Sequence, residues 1–210
     1  KIIVTYNGAD LNRFNKDTLS YECVRKKYNI LKDEILIGHV GAFSGWKGQE
    51  ILVESLKQLE SLTDKKVKVM FVGDGQSFNE VRQLAEKLDL ESQVIFVGRT
   101  FDSEIYHMSF DIYCQPSTQG ELFPNAIVEA LALSKPWVGT NISGLPELTN
   151  NGEAGTVVPP NDVNSLSHAL LPLIEDVELR VKMGKNAYEF VLDKLTIAKV
   201  CNRINEGYKG

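Results

Sequence analysis

Six short apolar runs, separated by stretches with helical patterning, constrain this chain more than any other feature. Residues 35–40, 67–72, 94–97, 111–114, 137–140 and 155–158 read as strands, and the runs are near-continuous in apolar residues where they are longest. Such runs suit strands covered on both faces. Between them, amphipathic segments at about 49–59, 78–88 and 104–108 and an almost wholly apolar one at 126–133 read as helices. Strand–helix alternation at this spacing predicts an α/β fold. Its centre is a Rossmann-like parallel sheet of about six strands with right-handed crossovers, flanked by helices. The tail predicts three more helices, near 165–175, 177–193 and 196–208.

In an open parallel sheet, ligands bind outside the carboxyl ends of the strands. The glycine-rich and polar loops of this chain follow its strands: residues 41–48, Gly73-Asp74-Gly75, Gly98-Arg99-Thr100, residues 117–125 and residues 143–147. Together they predict a single cleft. The 41–48 loop opens a helix, where free N–H groups and a positive dipole suit an anion. Lys47 adds a point charge fit for phosphate, although a plain loop with a solvated lysine gives the same letters. The loop is not a Walker A sequence. Gly73-Asp74-Gly75 is a tight turn or an incomplete dinucleotide fingerprint, since Phe78 stands at the third glycine position. Pro124-Asn125 starts the next helix, whose free N–H groups could hold another anionic or sugar oxygen.

Two acids stand out. Glu121 and Glu129 have seven residues between them. Glu121 falls in a loop punctuated by glycine and proline. Taken singly it reads as a solvated acid. Glu129 falls on the almost wholly apolar helix, with no Lys or Arg within a turn. A buried carboxylate costs several kcal/mol unless hydrogen bonds compensate it (roughly). Sugar hydroxyls would suit, because they donate without carrying charge. His107 reads as a helix-surface residue and His39 as packed within a strand.

Length and charge exclude some classes. The chain has 210 residues, enough for one large domain with a real core, and a net charge of −5 argues against nucleic acid. No apolar run approaches the ~20 residues that span a bilayer. Residues 1–6 are too short for a signal-peptide core and lack an initiator Met, so the chain is expected to begin within a longer protein. Cys23, Cys114 and Cys201 read as free thiols of a reducing compartment. His39, His107 and His168 make no metal spacing with the cysteines or acids.

The motifs, taken in order, resemble one family. Residues 6–14 are similar to its "NGVD…F" segment, residues 41–48 to "GR…KG", residues 72–75 to "VGDGP", and residues 96–98 to "FLG". Residues 115–130 resemble its two-glutamate signature, "PS…EGFPN…EA". Residues 143–147 resemble "GGIPE" and residues 158–162 "VPPGD". Nearly the whole chain resembles the C-terminal, donor-binding domain of a retaining glycosyltransferase of the GT-B fold, family 4 (glycosyl transferases group 1). One half of a GT-B fold is thereby implied. Residues 1–16 would be an interdomain linker, 17–195 the nucleotide-sugar domain, and 196–210 a helix crossing toward an N-terminal domain.

The resemblance also implies roles. Gly41 and Lys47 would approach the donor's diphosphate, with Gly73, Asp74 and Gly75 beside them. Glu121 would lie against the transferred sugar, and Phe123, Pro124 and Asn125 would present backbone amides. Glu129 would hold the ribose, and Arg99 and Thr100 would lie near the base. The donor would be a UDP- or GDP-linked sugar, with no cofactor or metal. The acceptor would be a glycan or lipid-linked sugar reached through the missing domain, in cell-surface polysaccharide synthesis. A cytoplasmic protein is expected, resting peripherally on the membrane at most, and the fragment alone is expected to fold but be inactive. Ala42 departs from the family's Arg and Leu122 from its Gly. Both departures leave open a catalytically degenerate nucleotide- or sugar-binding module. A dinucleotide-dependent oxidoreductase is a third reading, which the incomplete glycine fingerprint and the two glutamates disfavour.

Overall fold

The computed structural model describes residues 4–209; residues 1–3 of the expected linker and Gly210 of the expected terminal helix lie outside it. Six parallel strands form the sheet: β1 (Ile35–Val40), β2 (Val67–Val72), β3 (Val94–Gly98), β4 (Ile112–Gln115), β5 (Trp137–Thr140) and β6 (Gly155–Val158). Their spatial order is β3-β2-β1-β4-β5-β6. The chain runs outward from β1 to one edge and returns to β4 to run toward the other. The order therefore reverses between β1 and β4, which makes that crevice the topological switch point.

Alternation along each strand divides the core into two layers. Ile35 and Ile37 of β1, Val69 and Phe71 of β2 and Cys114 of β4 face one side. There they pack on α2 (Gln49–Leu59), α3 (Phe78–Lys87) and α6 (Val163–Glu175). Leu36, Met70, Tyr113 and Trp137 face the other, against α4 (Ser103–Ser109), α5 (Asn125–Ala132) and α7 (Val177–Phe190). Asp162 and Asp176 cap α6 and α7 by accepting from backbone N–H groups one turn on.

Two short elements escape the periodicity. The helix α1 (Glu22–Lys27) has six residues and buries only Val24. A 3₁₀ turn occupies Leu145–Thr149. After α7 the chain winds through a wide π turn, Val191–Leu195, before the last helix, α8 (Ile197–Lys209). At that junction Ala9 N donates to Leu195 O at 2.7 Å, and Phe14 inserts into the core 3% exposed. The N-terminal segment and the start of the tail are thus tied together.

Candidate functional site

The site forms where the β1–α2 loop meets the β4–α5 loop. Gly48 lets them touch: at φ +73° it lies in the left-handed region, and a Cβ there would sit 2.0 Å from the Pro116 carbonyl oxygen. Thr118 N donates to Trp46 O at 2.8 Å across the same seam. Gly73 brings in the β2 loop, where a Cβ would fall 1.9 Å from Gly41 O. Phe43 N then donates to Asp74 O at 3.0 Å. Glycines thus bring together three of the five strand-end loops of the expected cleft, by removing the side chains that would hold them apart.

Lys47 Nζ donates to Glu121 Oε1 in a direct ion pair. Both side chains are largely buried, at 15% and 7% exposure. Burial pulls the Lys47 pKa below the ordinary lysine value. Glu121 is thus not the solvated loop acid that its local sequence suggests. Behind it runs a buried chain in which Tyr113 Oη donates to Gln115 Oε1 at 2.6 Å. Gln115 Nε2 donates to Ser117 Oγ at 2.8 Å and reaches Glu121 Oε1 at 3.4 Å.

Beneath the 41–48 loop, His39 is fully buried. Its Nδ1–H donates to Cys114 O at 2.9 Å, which leaves Nε2 to accept from Gln49 Nε2 at 3.3 Å. Burial lowers its pKa to about 4, so the ring is neutral. Gln49 also donates to Ala42 O at 2.9 Å, fixing the loop from below. Ser44 Oγ is buried in that loop without a hydrogen-bond partner among the described residues. A ligand oxygen would satisfy it.

Glu129 lies on α5 and is not isolated. His107 Nε2 stands 3.3 Å from Glu129 Oε2. The sequence reading of His107 as a helix-surface residue is wrong: it is 0% exposed. It packs edge-on to Phe14 and Phe110. The ring beside Glu129 comes from α4, out of reach of a local pattern, but among the described residues neither of its nitrogens makes a hydrogen bond. The Glu129 side chain still keeps 23% of its surface exposed, enough for a ligand to share the carboxylate.

The loop before α5 is held from the N-terminal segment. Tyr6 stacks on Phe123 at 4.7 Å, Asn7 Nδ2 donates to Phe123 O at 2.8 Å, and Tyr6 Oη donates to Glu147. Pro124 stands just outside α5 in an extended conformation, and Asn125 begins the helix. Leu122 is 78% exposed and Ala42 also faces solvent. Arg99 and Thr100 follow β3 at the edge of the sheet, separated from β1 by β2. They share the carboxyl edge with Lys47 and Glu121 but stand apart from that pair. Sequence reasoning missed Gln115, Ser117 and Ser44. The signal for Gln115 was a polar residue closing the apolar run Ile112-Tyr113-Cys114.

A doubly wound sheet with a charged pair and glycine loops at its switch point is the architecture of nucleotide-binding α/β domains. Residues 21–190 match the family Glycosyl transferases group 1, and the chain belongs to that family. It is 27% identical over 208 residues to N-acetyl-alpha-D-glucosaminyl L-malate synthase of Bacillus anthracis, covering 99% of this chain and 53% of that protein. It is also 27% identical over 204 residues to the capsular polysaccharide biosynthesis glycosyltransferase CapM of Staphylococcus aureus, covering 96% and 52%. The crystal structure of Anabaena Alr3699/HepE in complex with UDP superposes with a TM-score of 0.88 at 27% identity, over 98% of this chain and 57% of that one. The fold thus matches domains of GT-B glycosyltransferases. The chain spans about half the length of the curated relatives it matches. Among the described residues, no helix is long and apolar enough to cross a membrane.

Proposed function

We propose that this chain is the donor-binding half of a retaining glycosyltransferase, which moves a sugar from a nucleoside-diphosphate sugar to an acceptor. The observation that carries the reading is the Lys47–Glu121 pair at the switch point. A bound donor would replace each partner with a better one. The diphosphate takes the Lys47 ammonium, and the sugar hydroxyls donate to the Glu121 carboxylate. As the anomeric bond breaks, negative charge grows on the leaving diphosphate. Lys47, Ser44 Oγ and the N-termini of α2 and α5 would stabilise it electrostatically. Gln115 and Ser117 keep Glu121 oriented while Lys47 is engaged elsewhere. Glu129 would accept from the ribose hydroxyls, with Arg99 and Thr100 nearer the base.

UDP is the favoured nucleotide, since the similar Anabaena protein was crystallised with it, and GDP is the alternative. The name of CapM supports polysaccharide synthesis as the setting, with a glycan or lipid-linked acceptor bound by a further domain. The reading divides the chain into a linker at 1–16, the donor domain at 17–195 and a crossing helix at 196–210. It places the protein in the cytoplasm, at most peripheral to the membrane, and makes the chain inactive alone. A second reading, a binding module without catalysis, is favoured by Ala42 and Leu122, which stand exposed at the rim in place of Arg and Gly.

Calorimetric titration with UDP, GDP and ADP, with NAD as control, tests the reading. Selective binding of one nucleoside diphosphate, weakened by Lys47→Ala, is expected. Binding of NAD alone would overturn it. Transfer assayed in a longer chain carrying the acceptor domain separates enzyme from binding module.

A further inference from the structure

A second concavity lies at the opposite edge of the sheet. It has a volume of about 700 Å³ and opens among α1, the turn before β1, the end of α4 and the residues leading into β4 and β5. Pockets of ~300–1,000 Å³ hold small molecules. Its apolar wall includes Ile30, Met108 and Phe110. The charges around it are unbalanced. Arg25 is consumed internally: it donates to Asp111 Oδ2 at 3.1 Å and to the Leu31 and Glu34 carbonyls at 2.8 and 2.7 Å. Asp111 also accepts from Leu36 N at 2.8 Å. With that pair cancelled, Lys26, Lys32 and Lys135 face the single acid Glu22, a surplus of two positive charges. This occurs on a chain whose net charge is −5.

Of the three lysines, Lys135 is set deepest. Among the described residues its ammonium makes one hydrogen bond, to Met108 O at 2.8 Å, and an ammonium has three donors. Burial drops its pKa to about 8; Asp111 opposes the drop and Arg25 adds to it. The two remaining donors face the open concavity, where an anion could take them.

We propose that this cavity is a binding site for a small phosphate monoester with an apolar body, anchored by Lys135 and flanked by Lys26 and Lys32. The dianion matches the surplus of two charges, and the apolar wall takes the organic part. The site lies at the amino ends of the strands, away from the Lys47–Glu121 crevice, and does not depend on the donor reading.

Phenyl phosphate is the probe, titrated by calorimetry against the wild-type chain and its variants. Saturable binding is expected, weakened about tenfold by Lys135→Met, the worth of one hydrogen bond to a charged group. It is unaffected by Lys47→Ala. Phenyl phosphate should also raise the Lys135 titration midpoint, read by NMR on methylated lysines. If Lys135→Met fails to fold, the rim double variant Lys26→Glu/Lys32→Glu decides, because both side chains are exposed; it too must weaken binding. No saturable binding at millimolar probe would overturn the proposal. So would binding that Lys47→Ala abolishes while the Lys135 or rim variant retains it.

Discussion

Lys47 on the β1–α2 loop and Glu121 on the β4–α5 loop are 74 residues apart in sequence and joined in a largely buried ion pair. The pair closes the seam between the two halves of the sheet. Each partner depends on the other for compensation. Lys47→Met is therefore expected to destabilise the chain by about 3 kcal/mol, since it strands a buried carboxylate. Adding Glu121→Gln should recover most of that loss, because the amide keeps its contacts with Gln115 and Ser117. Urea denaturation of the two single variants and the double variant measures the coupling. Additive losses would show that the pair carries no structural weight.

The seam also depends on Gly48. An alanine there takes on the left-handed cost of about 1 kcal/mol and places a Cβ 2.0 Å from Pro116 O. The contact is with backbone, which cannot swing aside, so the two loops must part. Gly48→Ala is expected to lower both the denaturation midpoint and nucleotide affinity. Gly45→Ala has a similar φ, +76°, but open space around its Cβ, and should show only the smaller backbone penalty. Equal losses in the two variants would refute the steric account.

How much of this was legible depends on the range of the interactions involved. The strands could be read because each is a local apolar run, and the crevice because glycine and polar loops follow those runs. The helix α1 could not, since six residues with one buried side chain carry no period. His107 was misread because Phe14 and Glu129 reach it from two distant places in the chain. Glu121 looked solvated for the same reason: the group that buries and pairs it lies 74 residues away. Local pattern reports an element and its faces, whereas a buried polar contact between elements leaves almost no local trace.

Glu129 offers a prediction that separates ribose from phosphate. If its carboxylate accepts from the ribose hydroxyls, Glu129→Ala should weaken UDP binding about tenfold, near 1.4 kcal/mol for the hydrogen bond lost. Pyrophosphate has no ribose, so its binding should be unchanged. Titration of both ligands against the variant checks this. Parallel loss of both would mean that Glu129 acts by supporting His107 and the packing around it.

His39 makes stability depend on pH in a defined window. Its folded pKa of about 4 lies below the ordinary value of 6.5, so the unfolded chain binds this proton first. The folded state is favoured fully above about pH 6.5, and that advantage is lost as pH falls toward 4. The sum is of order 3 kcal/mol, at about 1.36 kcal/mol per pKa unit. Carboxylates also titrate at the lower end, so the measurement is a difference: wild type minus His39→Gln, by urea denaturation from pH 7.5 to 4.5. The difference should shrink as pH falls. A constant difference would mean that the folded ring titrates as it does in the unfolded chain.

Ala42 gives the last expectation. It is exposed at the rim of the crevice, one residue after Gly41 and five before Lys47, where the family resemblance implies an arginine. Its carbonyl is fixed by Gln49, so a longer side chain should not disturb the loop beneath. An arginine on that rim can pair with a diphosphate in bidentate fashion. Ala42→Arg is therefore expected to tighten UDP binding about tenfold, with stability unchanged within about 0.5 kcal/mol, as for most surface substitutions. Calorimetry at two salt concentrations should show the gain falling as salt rises, since the added charge is exposed. Tighter binding would identify Ala42 as a weakened donor contact, while an unaltered affinity would show that this rim does not face the phosphates.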